Sequence, residues 1–324
     1  MDSTFKNLRV LVTGADGFMG SHLCEALLKD GARVIAFTRG TSTHGTSQLG
    51  LRRMGHIQAQ CEKVIAGNLT HPESTRLIQE VQPDVIMHLA AEAYVPKSFD
   101  QPGEVFAANA NGTLHVLEAV RHLPNLKRAV ITSSSEVYGT AADDKPIGEE
   151  HRLNPTSPYA ASKVAADRLA YSYNVTYGSP IAIIRPFNTF GPRHVYDVIP
   201  KFIGMALRNE PLTVHGDGSQ ARDFTYVDDM VRGFMLMGSH PAAVGEVVNF
   251  GAGQSFSIKH TAERIVALSG SKSTISFDDM RLAEVRHLLC DNSKAKRLFG
   301  WTPQVSFDEG LKRNIAWQKQ QPRP

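Results

Sequence analysis

Arg9-Val10-Leu11-Val12-Thr13-Gly14-Ala15-Asp16-Gly17-Phe18-Met19-Gly20 decides how the rest of the chain is read. An apolar, β-branched run meets three glycines spaced three apart, and Ser21 to Asp30 then carries apolar residues at helical spacing before stopping at Gly31. A strand, a glycine-rich turn and a helix in that order form the setting in which a dinucleotide pyrophosphate is cradled. Gly14 permits the tight turn, Gly17 lets the backbone approach the phosphates, and Gly20 lets the helix pack closely, while the helix N-terminus faces negative charge. Gly14, Asp16, Gly17, Phe18, Met19 and Gly20 are therefore the candidate cofactor-binding residues of this turn.

Outward from the turn, short apolar runs alternate with helical patterns: Arg33 to Thr38, Lys63 to Ala66, Val85 to Leu89, Ala129 to Ser133 and Ile181 to Arg185. That alternation predicts an α/β fold, a Rossmann-type doubly wound parallel sheet, with Gly112 to His122 as a further crossover helix. After Pro186 the loop signals Gly191-Pro192 and Gly216-Asp217-Gly218 mark a smaller α/β substrate-binding lobe. The expected division is 1–185 for the dinucleotide domain and 186–324 for the second lobe, with 246–268 returning to the first through a strand, Val247 to Phe250, and a helix, Ser257 to Leu268. Thr41 to Cys61 reads as a loop and short helix over the cofactor site. The second strand ends Ala36-Phe37-Thr38-Arg39 without the acid that would hold an NAD ribose. Arg39 either pairs with the 2′-phosphate of NADP or is a solvated strand end; with Thr38 it gives NADP as the expected cofactor and NAD as the alternative.

The 324 residues, 42% of them hydrophobic, suffice for a large two-lobed unit, and a formal charge of +3 implies neither a nucleic-acid nor a membrane surface. No run approaches a membrane span and no signal peptide precedes the first strand, so a cytoplasmic location is expected. Cys24, Cys61 and Cys290 lack metal-ligand spacing and read as reduced structural residues, and no metal site is expected.

Tyr159 and Lys163 lie four apart in Ser157-Pro158-Tyr159-Ala160-Ala161-Ser162-Lys163, on one face of a helix. A tyrosine hydroxyl needs about three pH units, roughly 4 kcal/mol, of anion stabilisation to act as a base near neutrality. A neighbouring ammonium and an oxidised nicotinamide supply it. Ser134, at the end of the strand Ala129 to Ser133, is positioned to bind the same substrate hydroxyl. In a strand-like segment Ser134 and Glu136 face the same way, which would set a carboxylate beside that hydroxyl.

With these residues the chain resembles an extended short-chain dehydrogenase/reductase of the nucleotide-sugar epimerase and dehydratase group. The resemblance covers nearly the whole length: His88-Leu89-Ala90-Ala91, Asn109 ahead of Gly112-Thr113, Ser133-Ser134-Ser135-Glu136-Val137-Tyr138-Gly139, Arg185-Pro186-Phe187-Asn188, Gly191-Pro192-Arg193, Arg222-Asp223-Phe224 and Lys294-Ala295 ahead of Gly300-Trp301. It implies that Asn68, Leu69, Leu89, Ala90 and Ala91 also touch the cofactor, Asn68 standing where relatives often carry Asp. It further implies a nucleotide-diphosphate sugar held by Glu92, Ser134, Glu136, Asn188, Arg193, Lys201, Val214, Arg222, Arg281 and Glu284, in a homodimer or homotetramer.

Glu136 separates the reactions. Relatives that only epimerise C4 generally lack an acid there, whereas 4,6-dehydratases, GDP-mannose 4,6-dehydratases among them, carry Glu. The implied activity is a 4,6-dehydratase in which Tyr159 takes the C4 hydroxyl proton as hydride passes from C4 to the cofactor, Glu136 takes the C5 hydrogen, water leaves from C6, and the cofactor returns hydride to C6 to give a 4-keto-6-deoxy sugar. Ser135 replaces the acid of some relatives, so Glu136 serves as base and then acid. A 4-epimerase, a UDP-glucuronate decarboxylase-like enzyme and a non-enzymatic NADP sensor are the alternatives.

Overall fold

Every apolar run singled out in the first half is a strand of one sheet. The computed structural model describes residues 4–39, 53–140, 145–280 and 285–321. The chain runs β1 (Arg9–Thr13), α1 (Phe18–Lys29), β2 (Arg33–Thr38), β3 (Lys63–Ala66), α2 (Glu73–Glu80) and β4 (Val85–His88). Two short helices, α3 (Lys97–Asp100) and α4 (Pro102–Phe106), lead through a π-helical turn, Ala107–Asn111, into α5 (Gly112–Arg121) and β5 (Arg128–Thr132). A 3-10 turn, Ser135–Tyr138, precedes α6 (Pro158–Tyr177) and β6 (Ile181–Pro186). There follow β7 (Asn188–Phe190), α7 (Val198–Leu207), β8 (Leu212–His215), β9 (Ala221–Tyr226), α8 (Val227–Ser239) and β10 (Val247–Phe250). The chain closes with β11 (Ser255–Ser257), α9 (Ile258–Ser269), β12 (Ile275–Asp278), β13 (His287–Leu288), α10 (Ser293–Phe299) and α11 (Phe307–Lys319).

The large sheet has the order β10-β6-β5-β4-β1-β2-β3. The β1, β2 and β4 pairings are parallel, with Thr13 opposite Phe37 on one side and His88 on the other. Chain order reverses direction between β1 and β4, and the crevice beyond the carboxyl ends of strands at such a switch is where doubly wound sheets bind ligands. One face of the sheet is sealed by Leu11, Ile35, Phe37, Ile86 and Ile131 packing on Val116, Leu117 and Val120 of α5 and Ile78 of α2. Each such side chain contributes about 1.5–3 kcal/mol on burial.

Two compact units result: Met1–Val137 with Ser157–Arg185 and Val231–Val248, and Tyr138–Thr156 with Pro186–Met230 and Asn249–Pro324. β10 lines up beside β6, but the helix after it, α9, belongs to the second unit. That unit holds a sheet of order β11-β9-β13, with β7 also on β9, and a separate β12-β8 pair. Its centre is aromatic: Phe256 stacks on Phe307 with ring centroids 4.2 Å apart, and Phe190 meets Phe224 edge to face. Among the described residues no helix is long and apolar enough to cross a membrane.

Candidate active site

The turn after β1 is built around one carbonyl. Gly14 has φ +69°, a conformation costly for any other residue, and a Cβ there would lie 2.8 Å from the Ala90 nitrogen. A Cβ on Gly20 would come within 2.1 Å of the Gly14 oxygen, so the third glycine is demanded by the turn itself as well as by helix packing. α1 begins at Phe18, three residues before the sequence pattern suggests, with Gly17 as its cap and no side chain closing its first N–H groups. At the end of β2 the Thr38 hydroxyl is buried without a hydrogen-bond partner, and Arg39 is exposed. An uncapped helix start, glycines where side chains are excluded, and an orphaned hydroxyl where an adenosine ribose would lie together fit a dinucleotide.

Some residues expected to contact the cofactor are engaged elsewhere. The Asp16 carboxylate accepts the main-chain N–H groups of Arg53 (2.8 Å) and Met54 (3.0 Å), tying that segment to the turn. Asn68 Oδ1 accepts the Thr70 N–H at 3.1 Å. Leu69 is buried beside Gly112, and Phe18 and Met19 lie on the first turn of α1. Leu89, Ala90 and Ala91 follow β4 half-buried, Leu89 donating its N–H to the Thr13 carbonyl at 3.2 Å. The expected loop over the site falls largely on 40–52, outside the described residues.

From β1 a buried chain of hydrogen bonds leads to α6, the helix that carries Tyr159 and Lys163. Ala90 N–H donates to Thr13 Oγ1 (3.2 Å), and Thr13 Oγ1 lies 2.8 Å from His88 Nδ1. His88 Nε2 is 3.0 Å from Thr113 Oγ1, whose hydroxyl donates to the Asn109 carbonyl at 2.6 Å. With the Thr113 proton committed, His88 must donate from Nε2 and accept at Nδ1, a neutral imidazole. Burial, helped by the charge of Lys163, accordingly pushes His88 down to about 3. Asn109, in the π-helical turn, donates to Ser162 Oγ (2.9 Å) and the Glu92 carbonyl (3.1 Å) and accepts the Glu92 N–H (2.7 Å). Ser162 in turn donates to the Tyr159 carbonyl at 2.6 Å. The sequence assigns His88 and Asn109 no task; a histidine ending the apolar run Val85-Ile86-Met87 is the signal it offers.

α6 starts where Ser157 caps it, its hydroxyl accepting the Ala160 N–H at 3.1 Å, with Pro158 at the first helical position. Tyr159 and Lys163 are both buried, at 7% and 4% exposure. Lys163 Nζ donates to the Thr132 carbonyl at the end of β5, 2.5 Å away. Burial pulls the ammonium down to about 8, with the charge of Asp167 opposing the fall. An ammonium that still holds its proton near neutrality, one turn from a phenol, suits stabilising the phenolate.

The segment after β5 corrects the strand reading. β5 ends at Thr132, and Ser135–Tyr138 is a 3-10 turn, so Ser134 and Glu136 do not share a face by strand alternation. What joins them is a hydrogen bond, Glu136 N–H to Ser134 Oγ at 3.2 Å. Ser134 and Ser135 are buried, whereas Glu136 is the one residue of 133–139 that is not. The Glu92 carboxylate pairs with Lys97 at 3.2 Å, which also meets Glu104, so neither Glu92 nor Lys97 is an isolated charge.

In the second unit, Asn188 opens β7 with its Oδ1 buried and unpartnered, an acceptor awaiting a donor. Arg222 lies on β9, one guanidinium N–H given to the Ala221 carbonyl at 3.0 Å. Arg193 sits in a left-handed turn at φ +71°, and Lys201 is exposed on α7. Val214 is fully buried in β8, packed under Gly218. Arg281 and Glu284 fall outside the described residues. Between these groups Asp223 is buried and accepts the N–H groups of Ala252 (2.7 Å), Gly253 (2.8 Å) and Cys290 (3.1 Å). Burial pushes its carboxyl up to about 6 against those bonds.

A family model described as GDP-mannose 4,6 dehydratase matches residues 11–314. A UDP-glucuronate 4-epimerase of Thermodesulfobacterium geofontis is 34% identical, with 96% of this chain and 96% of that protein covered. A dTDP-glucose 4,6-dehydratase of Xanthomonas campestris pv. campestris is 32% identical over 95% of this chain and 92% of its own. The crystal structure of UDP-glucuronic acid 4-epimerase from Bacillus cereus, in complex with UDP-glucuronic acid and NAD, superposes with TM-score 0.87 at 32% identity, covering 97% of this chain and 99% of that one.

Proposed function

Because the chain belongs to the GDP-mannose 4,6 dehydratase family, whose relatives are nucleotide-sugar epimerases and dehydratases, we propose that it is a nucleotide-sugar 4,6-dehydratase. The observation that carries this reading is Glu136: a half-buried carboxyl residue in an otherwise buried turn, tied through its own N–H to Ser134. A carboxylate in a closed turn costs solvation, and a proton-transfer task explains its retention.

The cofactor of this reading is a nicotinamide dinucleotide that Gly14, Gly17, Gly20 and Thr38 would hold, with Lys163 on its ribose; when bound it would accept the C4 hydride and return hydride to C6 after water is lost. Arg39 and the missing acid at the end of β2 support NADP, and the Bacillus cereus relative's NAD supports the alternative. Tyr159 takes the C4 hydroxyl proton while Ser134 holds that hydroxyl. The ketone at C4 acidifies the C5 hydrogen, Glu136 removes it, and the same carboxyl then protonates the departing C6 hydroxyl. Asn188 and Arg222 would meet the diphosphate, the guanidinium offering paired donors.

A 4-epimerase is the second reading, favoured by the names of relatives such as the Thermodesulfobacterium protein. Mass spectrometry of products from UDP-, GDP-, CDP- and dTDP-hexoses separates the two, since dehydration loses water and epimerisation conserves mass. Glu136→Gln should cut water loss by at least about 100-fold while dinucleotide binding is kept. Inversion at C4 without water loss, or an unimpaired Glu136→Gln, would end the dehydratase reading.

A further inference from the structure

Lys163 is an ammonium in a seat that burial works to discharge, yet its expected task requires the proton. One turn along the same face of α6 lies Asp167, fully buried. Its two oxygens are taken by Arg185 of β6, Nε to Oδ2 at 2.9 Å and Nη2 to Oδ1 at 3.1 Å, and Arg168 Nε adds a bond at 2.9 Å. This is a bidentate ion pair closed to water at the foot of the catalytic helix, and replacing such a pair by apolar residues is often neutral or stabilising. Fold stability alone therefore does not require two opposite charges here. We propose that Asp167, clamped by Arg185, is the counter-charge that keeps the buried Lys163 ammonium protonated, making Asp167 and Arg185 positioning residues for the reacting pair.

Among the described residues Asp167 is the acid one turn from Lys163 whose charge acts on it; Glu92 is paired with Lys97, and Glu136 lies half-buried in the turn after β5. From β4 the imidazole of His88 is neutral and both its nitrogens are committed. From β5 a carbonyl, that of Thr132, meets the ammonium. The π-helical turn presents Asn109, which is uncharged. On α4, Glu104 pairs with Lys97, and on α5, Glu118 takes the hydroxyl of Tyr173, near the far end of α6. On α6 itself Tyr159 stands on one side of the lysine and Asp167 on the other. Arg185 has a defined purpose in this arrangement. Burial works to raise the Asp167 carboxyl, and the bonded guanidinium holds it below the usual carboxylate range, so the counter-charge persists wherever the enzyme works. Lys163 at about 8 is then a compromise between burial and that charge.

This inference rests on the reading of Tyr159 and Lys163 as the reacting pair, and the test keeps the two apart. The full-length protein is labelled with 13C at lysine Cε, and the Lys163 signal is identified by its loss in Lys163→Arg. Its titration in wild type should centre near 8. Asp167→Asn should lower the midpoint by about one unit, a tenfold weaker hold on the proton, and Asp167→Glu should restore it. Since Asp167→Asn removes the carboxylate that offsets the Arg185 charge, the double variant Asp167→Asn/Arg185→Gln is titrated as well and should also fall below wild type. In turnover the alkaline limb of kcat should move down in step, at unchanged KM. A midpoint unmoved in both Asn variants, or a wild-type Lys163 titrating with ordinary lysines, overturns the proposal. A midpoint that moves as expected in a protein that turns over no nucleotide sugar supports the counter-charge and sinks the functional reading instead.

Discussion

Two buried aspartates, one in each unit, meet opposite fates. Asp167 and Asp223 are both sealed from solvent, yet the first titrates below the ordinary carboxylate range and the second is pushed up to about 6. Asp167 has a guanidinium gripping both oxygens; Asp223 has main-chain N–H groups and the Thr225 hydroxyl, and no cation among its bonded partners in the described residues. Dipoles orient toward a carboxylate without cancelling its charge, so burial prevails at Asp223 and loses at Asp167. The first device conserves a charge for a neighbour. The second uses a carboxylate as a clasp, gathering 252–253 and Cys290 around the strand that carries Arg222.

The sharpest break would come from removing one carboxylate at a time. Asp167→Asn takes the carboxylate away from the buried Arg185 guanidinium and should cost about 3–5 kcal/mol in urea unfolding. Asp223→Asn leaves main-chain donors short of an acceptor and should cost less, about 1–3 kcal/mol. Equal losses would mean that charge compensation is not what separates the two sites. The smallest effect is in pH dependence, at most about 1.4 kcal/mol per pH unit for each group. Asp223, raised from 3.8, contributes stability that is present in full below pH 3.8 and lost as pH rises through about 6. Asp167, lowered from 3.8, contributes stability present above pH 3.8 and lost as pH falls through its depressed value. The gap between wild type and Asp223→Asn should therefore narrow from pH 4 to pH 7, while the gap to Asp167→Asn should close only in stronger acid.

What could be read from sequence followed the range of the interaction. The glycines of the first turn were legible because backbone geometry acts over a few residues, and strands such as Arg33–Thr38 and Val247–Phe250 were placed to the residue by their β-branched runs. Ser133 to Tyr138 was misread because serine, valine and tyrosine suit an extended chain as well as a tight turn, and the end of β5 is set by its neighbours β4 and β6. The Thr13-His88-Thr113-Asn109-Ser162 chain lay out of reach because only the register of β1 on β4, which sets Thr13 opposite His88, brings its members together. Asp223 was equally silent: an acid after an arginine on a strand reads as surface until its burial is seen.

The hydrogen bonds from Ala90 through His88 to Asn109 all point one way, so no member can be replaced by a group that reverses donor and acceptor without stranding the next. For protein engineering this sets the size of the portable module. A tyrosine and lysine grafted four apart onto a foreign helix would arrive without their moorings, whereas a graft that copied β1, β4, the π-helical turn, α5 and α6 together would carry its own alignment. In families drifting apart, these positions should change as a block or remain as they are.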